Sequence, residues 1–209
     1  MVLYSAKFDE LVIECQKCPR LTRYARETKL NGRKKEFEID DYWCKPVPSF
    51  GSLHSHILIV GLAPGKHGAG RTGRPFTGDY AGDILYSALH ESGLSSTDKA
   101  ISAGDGLELS GVRITNAVRC VPPQNKPLNK EIMNCRPYLI QEIEMMPNLK
   151  LVLTLGSLAH KQLISCVELR QTDFKFGHEA IHVMPGKKWK LMKRHKSCSD
   201  QRIGDSSAF

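Results

Sequence analysis

Mostly apolar runs punctuate this chain at Ile57 to Val60, Val112 to Val118, Leu151 to Leu155, Ala180 to Met184 and Trp189 to Met192. Each is short and bounded by polar or glycine-containing segments, the pattern of buried strands. Between them the spacing turns helical. Ile84, Leu85, Ala88 and Leu89 fall on one helical face with Asp79 or Asp83 placed to cap its start, a longer helix follows Asn129, and a short one covers Leu158 to Leu163. Continuous apolar strands alternating with helices predict a parallel sheet with helices on both faces, whose ligands bind beyond the carboxyl ends of the strands.

One such end opens into the most unusual stretch of the chain. Residues 61–83 contain seven glycines in twenty-three positions, together with Lys66, His67, Arg71, Arg74 and Phe76. A backbone this permissive can approach a ligand closely. It is neither of the familiar phosphate loops. Gly61 and Gly65 are separated by three residues rather than four, and Lys66 is followed by His67 rather than Ser or Thr. Gly68-Ala69-Gly70-Arg71-Thr72-Gly73 satisfies the dinucleotide spacing but lies too far from the strand and does not open the helix.

The 209 residues and 41% apolar content suit a single domain, 1–209, without a membrane-spanning run, and no repeat divides it. Residues 27–50, with their charged cluster and Pro46 and Pro48, read as an extended connector packed across the domain. The first residues lack a secretory pattern, so a reducing, cytoplasmic setting is expected. There seven cysteines indicate metal or cluster ligation, or buried thiols, rather than disulfides. Cys15 and Cys18 form a C-x-x-C turn on a short helix, and Cys120 and Cys135 supply a second pair from distant segments. Four such thiolates could close one site, holding zinc or an iron–sulfur cluster, and the residues alone leave both open. Cys44, Cys166 and Cys198 read as buried or incidental thiols. The net charge of +8 suits an anionic partner, although many basic proteins bind no nucleic acid.

Gly61-Leu62-Ala63-Pro64, Arg71 to Asp79, Ile114 to Cys120 and the four cysteines resemble the iron–sulfur uracil-DNA glycosylases of family 5, type b. Asp41-Tyr42-Trp43, Pro46-Val47-Pro48 and Phe176-Gly177-His178 extend the resemblance, which runs from about Cys15 to about Met192. It implies a three-layer α/β/α fold with a mainly parallel central sheet. It also implies a structural 4Fe-4S cluster on Cys15, Cys18, Cys120 and Cys135, and removal of uracil from double- or single-stranded DNA by a monomer with no membrane attachment. Base-binding positions would be Gly61, Ala63, Pro64, Gly65, His67, Phe76 and Asn116. Phe76 would lie under the base, Asn116 has an amide that can donate and accept at an imide edge, and backbone N–H groups from Ala63 to His67 would stabilise the departing base.

Two departures bear on catalysis. No carboxylate follows Pro64 directly, so water activation falls to Asp79, with Asp83 behind it, and Gly65 stands where the branch is expected to carry alanine. The family's second motif, a His followed by Pro or Cys and then Ser, is matched only loosely by His195-Lys196-Ser197. Residues 193–209 read as a divergent or frame-shifted tail. His195 therefore joins Asn116 and Asp79 as a catalytic candidate. The alternatives are an iron–sulfur DNA-binding protein impaired in catalysis, and a zinc-stapled fold with a small-molecule site.

Overall fold

A computed structural model describes residues 2–177 and 180–194. Helices α1 (Val2–Ile13) and α2 (Pro19–Asn31) come first, the second opened by Pro19, whose fixed φ and missing N–H suit a first turn. Strand β1 (Ile57–Gly61) leads into the glycine-rich loop, which contains a single-turn helix α3 (Ala69–Thr72) and runs into α4 (Tyr80–Glu91). Strand β2 (Val112–Asn116), helix α5 (Asn129–Glu144), strand β3 (Leu151–Leu155) and helix α6 (Ser157–Cys166) follow. Strands β4 (Ile181–Val183) and β5 (Lys190–Arg194) complete the described fold.

The sheet has the order β2-β1-β3-β5-β4, parallel throughout except for the antiparallel edge strand β4. Period-two alternation decides which face each residue serves. Leu58, Val60, Val152 and Leu191 point into a core that also contains Leu139 of α5 and Leu163 and Ile164 of α6. Ile59, Val112 and Ile114 point the other way, against Leu85, Tyr86 and Leu89 of α4. The result is the expected three-layer α/β/α arrangement. No helix among the described residues is long and apolar enough to cross a membrane.

Several local expectations give way to tertiary packing. The C-x-x-C turn joins two helices rather than sitting on one, and residues 27–31 are the end of α2 rather than connector. Strand β2 stops at Asn116, so Cys120 lies in the loop beyond it. Ile84 is 41% exposed, because the buried face of α4 runs through Ala81, Gly82, Leu85, Tyr86 and Leu89. Asp79 caps α4 as expected, its Oδ1 accepting from Gly82 N at 2.8 Å, while Asp83 is exposed in the first turn.

Beneath β2 lies a buried ionic network. Glu142 of α5 is wholly buried and takes Arg113 Nε on Oε1 at 2.5 Å, with Arg119 Nη2 and Thr115 Oγ1 on Oε2. Burial pushes its pKa up, but the Arg119 and Arg113 guanidinium groups, with a Ser49 hydroxyl, override that and bring it down to about 2. A carboxylate with a depressed folded pKa stabilises the fold above its unfolded value and loses that contribution as pH falls. Glu142→Gln is therefore expected to cost about 3–5 kcal/mol in urea unfolding at neutral pH. The gap to wild type should narrow as pH falls from about 4.5 towards about 2; equal losses at both ends of that range would contradict the assignment.

Candidate active site

The strand order reverses direction at β1, where β2 lies on one side and β3 on the other, and such switch points open a crevice at the carboxyl ends. A cavity of about 350 Å³ occupies that place. Gly61 ends β1, Asn116 ends β2, and Leu155 to Ala159 come from the end of β3 and the start of α6. Leu62 to Gly65, Ala69, Phe76 and Asp79 close the remaining sides.

Backbone rather than side-chain bulk shapes this cavity. A Cβ on Gly61 would overlap Asn116 Oδ1 and come within 2.5 Å of Phe76 Cζ, so only glycine lets the ring and the amide approach so closely. Phe76 itself holds φ at 58°, the left-handed region that costs a bulky residue about 1–3 kcal/mol. The surroundings impose it. Arg74, only 3% exposed, donates to Asp105 Oδ1 at 2.5 Å and to Ala103 O at 3.0 Å, while Tyr86 Oη donates to Pro75 O at 2.9 Å. Gly82 lets the first turn of α4 press against the Phe76 carbonyl, where a Cβ would collide.

The polar groups of the cavity are held ready and largely unpaired. Asn116 is 3% exposed, and its amide makes no hydrogen bond to any described residue. The N–H groups of Ala63 and Gly65 likewise meet no protein acceptor among the described residues. Asp79 uses Oδ1 for the helix cap and leaves Oδ2 at the cavity wall, 3.5 Å from where a Cβ of Gly65 would sit and 3.6 Å from one on Gly68. The carboxylate missing after Pro64 is thus approached from across the loop.

Of the expected base-binding residues, Gly61, Ala63, Pro64, Gly65, Phe76 and Asn116 line the cavity, joined by Asp79. His67 does not line it. Its Nδ1 meets the Tyr42 hydroxyl at 3.0 Å, and burial, with Lys66 nearby, lowers its pKa, so the ring is neutral near pH 7. His195 and His178 lie outside the described residues. The β3 exit, Leu155 to Ala159, is not among the expected site residues yet lines the cavity, and the glycine after an apolar strand, Gly156 at φ 93°, is its signal in the sequence.

A second constellation lies behind β2. Cys15 and Cys18 at the α1–α2 junction, Cys120 in the loop after β2 and Cys135 on α5 all line one small cavity. Burial, then the charges of Cys135, Cys15 and Cys18, push the Cys120 thiol far up, and burial raises Cys135 to about 11. Thiols that oppose one another's ionisation suit a cationic centre between them. Arg119 N donates to Cys135 Sγ at 3.3 Å, and Asn134 Nδ2 to Cys18 Sγ at 3.6 Å. Among the described residues no three His, Cys, Asp or Glu groups are close enough to chelate a single ion. Cys44 and Cys166 are free thiols that do not line this cavity, although Cys44 shares a neighbouring one with Cys15 and Cys120, and Cys198 lies outside the described residues.

An amide, an aromatic ring and free N–H groups lie together at the switch point of an α/β sheet, groups able to hold a flat polar heterocycle. Residues 48–202 match the uracil DNA glycosylase superfamily, and the chain belongs to that superfamily. Its similarity is to the type-5 branch. It is 41% identical to the type-5 uracil-DNA glycosylase of Thermus thermophilus, covering 94% of this chain and 89% of that protein. The type-5 uracil-DNA glycosylase of Pyrobaculum aerophilum is 38% identical over 81% of this chain and 74% of its own length. The corresponding Mycobacterium bovis protein is 38% identical over 84% of this chain and 66% of its own length.

The glycine requirement at the cavity floor is open to a direct test. Gly61→Ala should fold with an unchanged circular dichroism spectrum, because Gly61 ends a strand, yet lose binding of a free planar imide such as uracil by titration calorimetry or NMR. Unimpaired binding would show that Phe76 and Asn116 are not held as described.

Proposed function

We propose that this chain hydrolyses the N-glycosidic bond of uracil in DNA and leaves an abasic site, with other deaminated bases admitted by the room Gly65 leaves. Asn116 carries this reading. Burying a carboxamide without a partner costs about 1–3 kcal/mol, so an unpaired amide that opens onto a cavity is matched to a ligand. An imide edge alternates acceptor and donor, and one carboxamide can satisfy both. The Phe76 ring beside it supplies a stacking surface for a base withdrawn from the helix.

With the base held, the free N–H groups at Ala63 and Gly65 offer donors for the negative charge that grows on it as the bond to the sugar breaks. No general base is needed to start that step. Asp79 Oδ2 at the cavity wall supports the positive charge that develops on the sugar and orients the attacking water. Single-stranded and duplex DNA are both proposed substrates, bound by a monomer in the cytoplasm.

A 4Fe-4S cluster on Cys15, Cys18, Cys120 and Cys135 is the proposed cofactor. Four thiols that line one cavity, with N–H groups turned towards sulfur, support a thiol-held centre, and the resemblance to the iron–sulfur branch favours a cluster over zinc. When bound it would act as a staple, tying the α1–α2 junction to α5 and to the loop four residues beyond Asn116.

Uracil release from labelled oligonucleotides tests the activity: free base supports the enzyme, whereas tight binding without release leaves only a DNA-binding protein. Asn116→Ala should lower kcat/KM about 100-fold or more through the lost edge contacts. Asp79→Asn keeps a good helix cap, so its melting temperature should hold while kcat falls about 100-fold with KM little changed. A parallel fall in stability and activity would reduce Asp79 to its capping role.

The cofactor has its own readout. Anaerobically purified protein should be brown and contain iron and acid-labile sulfide in equal amounts, and Cys120→Ser should lose the colour. A colourless wild type carrying zinc would overturn the assignment.

A further inference from the structure

The cavity that gathers the four cysteines is lined as well by Lys17, Asn134 and Tyr138. Asn134 and Tyr138 stand four positions apart on α5, so they share one face of the helix, and Cys135 lies between them in the chain. That face is turned to the C-x-x-C segment. Asn134 Nδ2 donates to Lys17 O at 3.1 Å and to Cys18 Sγ at 3.6 Å, sulfur being the larger acceptor. The Tyr138 hydroxyl is hydrogen-bonded to the Cys15 thiol. Its ring meets Phe8 edge-on at 6.5 Å, and the Lys17 ammonium lies 5.0 Å from its centre.

Packing does not account for these two side chains. Leu139 carries α5 into the core, whereas Asn134 and Tyr138 are half-buried and belong to neither hydrophobic cluster. Their donors are spent on sulfur instead. Four ligating thiolates would concentrate negative charge in a small space, and most charged groups of the cavity wall are already committed. Arg119 is bound to Glu142, and Glu131 to Arg20, which leaves Lys17 as the cation that the C-x-x-C segment itself brings. Hydrogen bonds to ionised acceptors are roughly twice as strong as those to neutral ones. Donors beyond the ligands also orient them, and those on sulfur help to set the potential of a thiol-held centre.

We propose that Asn134 and Tyr138 are positioning residues for the thiol-held centre: Asn134 fixes the Cys18 sulfur, Tyr138 fixes the Cys15 sulfur, and by drawing charge from both they slow the loss of what the thiols hold. The inference rests on the cofactor reading and adds to it the groups that secure the C-x-x-C half of the set. The other half is served differently. Cys135 Sγ accepts from the main-chain N–H of Arg119, a donor that no side-chain substitution removes. Substitutions at Asn134 and Tyr138 therefore loosen Cys15 and Cys18 and leave Cys135 in place.

The test uses the full chain, purified anaerobically, as wild type, Asn134→Ala, Tyr138→Phe and the double variant. On exposure to air the visible absorption of the double variant should fade about 5-fold faster or more than that of wild type, with each single variant between them. Its reduction potential in a spectroelectrochemical titration should move to more negative values, a change that a mere packing defect would not produce. The metal-free forms should melt together. A fading rate equal to wild type, or faster fading with an unmoved potential, would overturn the role. A colourless wild type that holds zinc would overturn the cluster and leave the same variants to decide the positioning role: faster stripping of zinc by a chelator upholds it, and an equal rate overturns it. A wild type that holds neither metal overturns both readings.

Discussion

The elements that carry Asn116 and the four cysteines meet at one buried carboxylate. Glu142 sits in the last turn of α5 with no exposure to solvent, and it is tolerable there because Arg113 and Arg119 bring two positive charges to it. Arg113 lies at the start of β2 and Arg119 just beyond its end, so the strand that delivers Asn116 is registered against α5 by charge as well as by packing. Ser49, Gly51 and Asp9 complete the coordination, the first two from the segment before β1 and the last from α1. One carboxylate thereby draws together the strand with the amide, the helix with Cys135, the loop with Cys120 and the helix leading to Cys15.

The base cavity, by contrast, is made by omission. Gly61 leaves room for Phe76 and Asn116 to meet, Gly82 lets α4 reach the Phe76 carbonyl, and Gly65 leaves the space that Asp79 faces. A loop with so many glycines is costly to order, and the structure recovers that order from outside it. Arg74 bound to Asp105, Arg71 bound to Asp40 and Tyr86 bound to Pro75 hold the chain in a conformation that the sequence of the loop does not itself prefer. Phe76 at a positive φ is the visible trace of that imposition. Asp79 serves two ends with its two oxygens, so the helix cap and the cavity wall share a residue without competing for an atom.

The strands, their parallel arrangement and the placement of the ligand at their carboxyl ends were legible because burial on two faces leaves an apolar run that needs no context to read. The glycine-rich loop was legible for the opposite reason, since so permissive a backbone is rarely kept without a close approach to serve. The paired spacings grouped Cys15 and Cys18 with Cys120 and Cys135, the resemblance added a cluster as the group they would hold, and all four thiols face one cavity. Local spacing misled where a neighbour decided the outcome. Ile84 fits the apolar face of α4 by period but is exposed, because the contact with the Phe76 segment turns the helix so that Gly82 and Tyr86 face inward.

The sequence by itself determined the architecture and the inventory of groups: an α/β sheet, a loop able to approach a flat ligand, an amide at a strand end and four thiols. Only the tertiary structure decided which groups share a space. His67, in the middle of the loop, is taken by Tyr42, whereas Gly156 and Ser157, far along the chain, form a cavity wall. Asp79 Oδ2 faces the gap beside Gly65 although fourteen positions separate them. The physical reason is common to all three. Periodicity records whether a residue is buried, but not which partner it is buried against, and hydrogen bonds between distant segments form only once the sheet has brought their strand ends together.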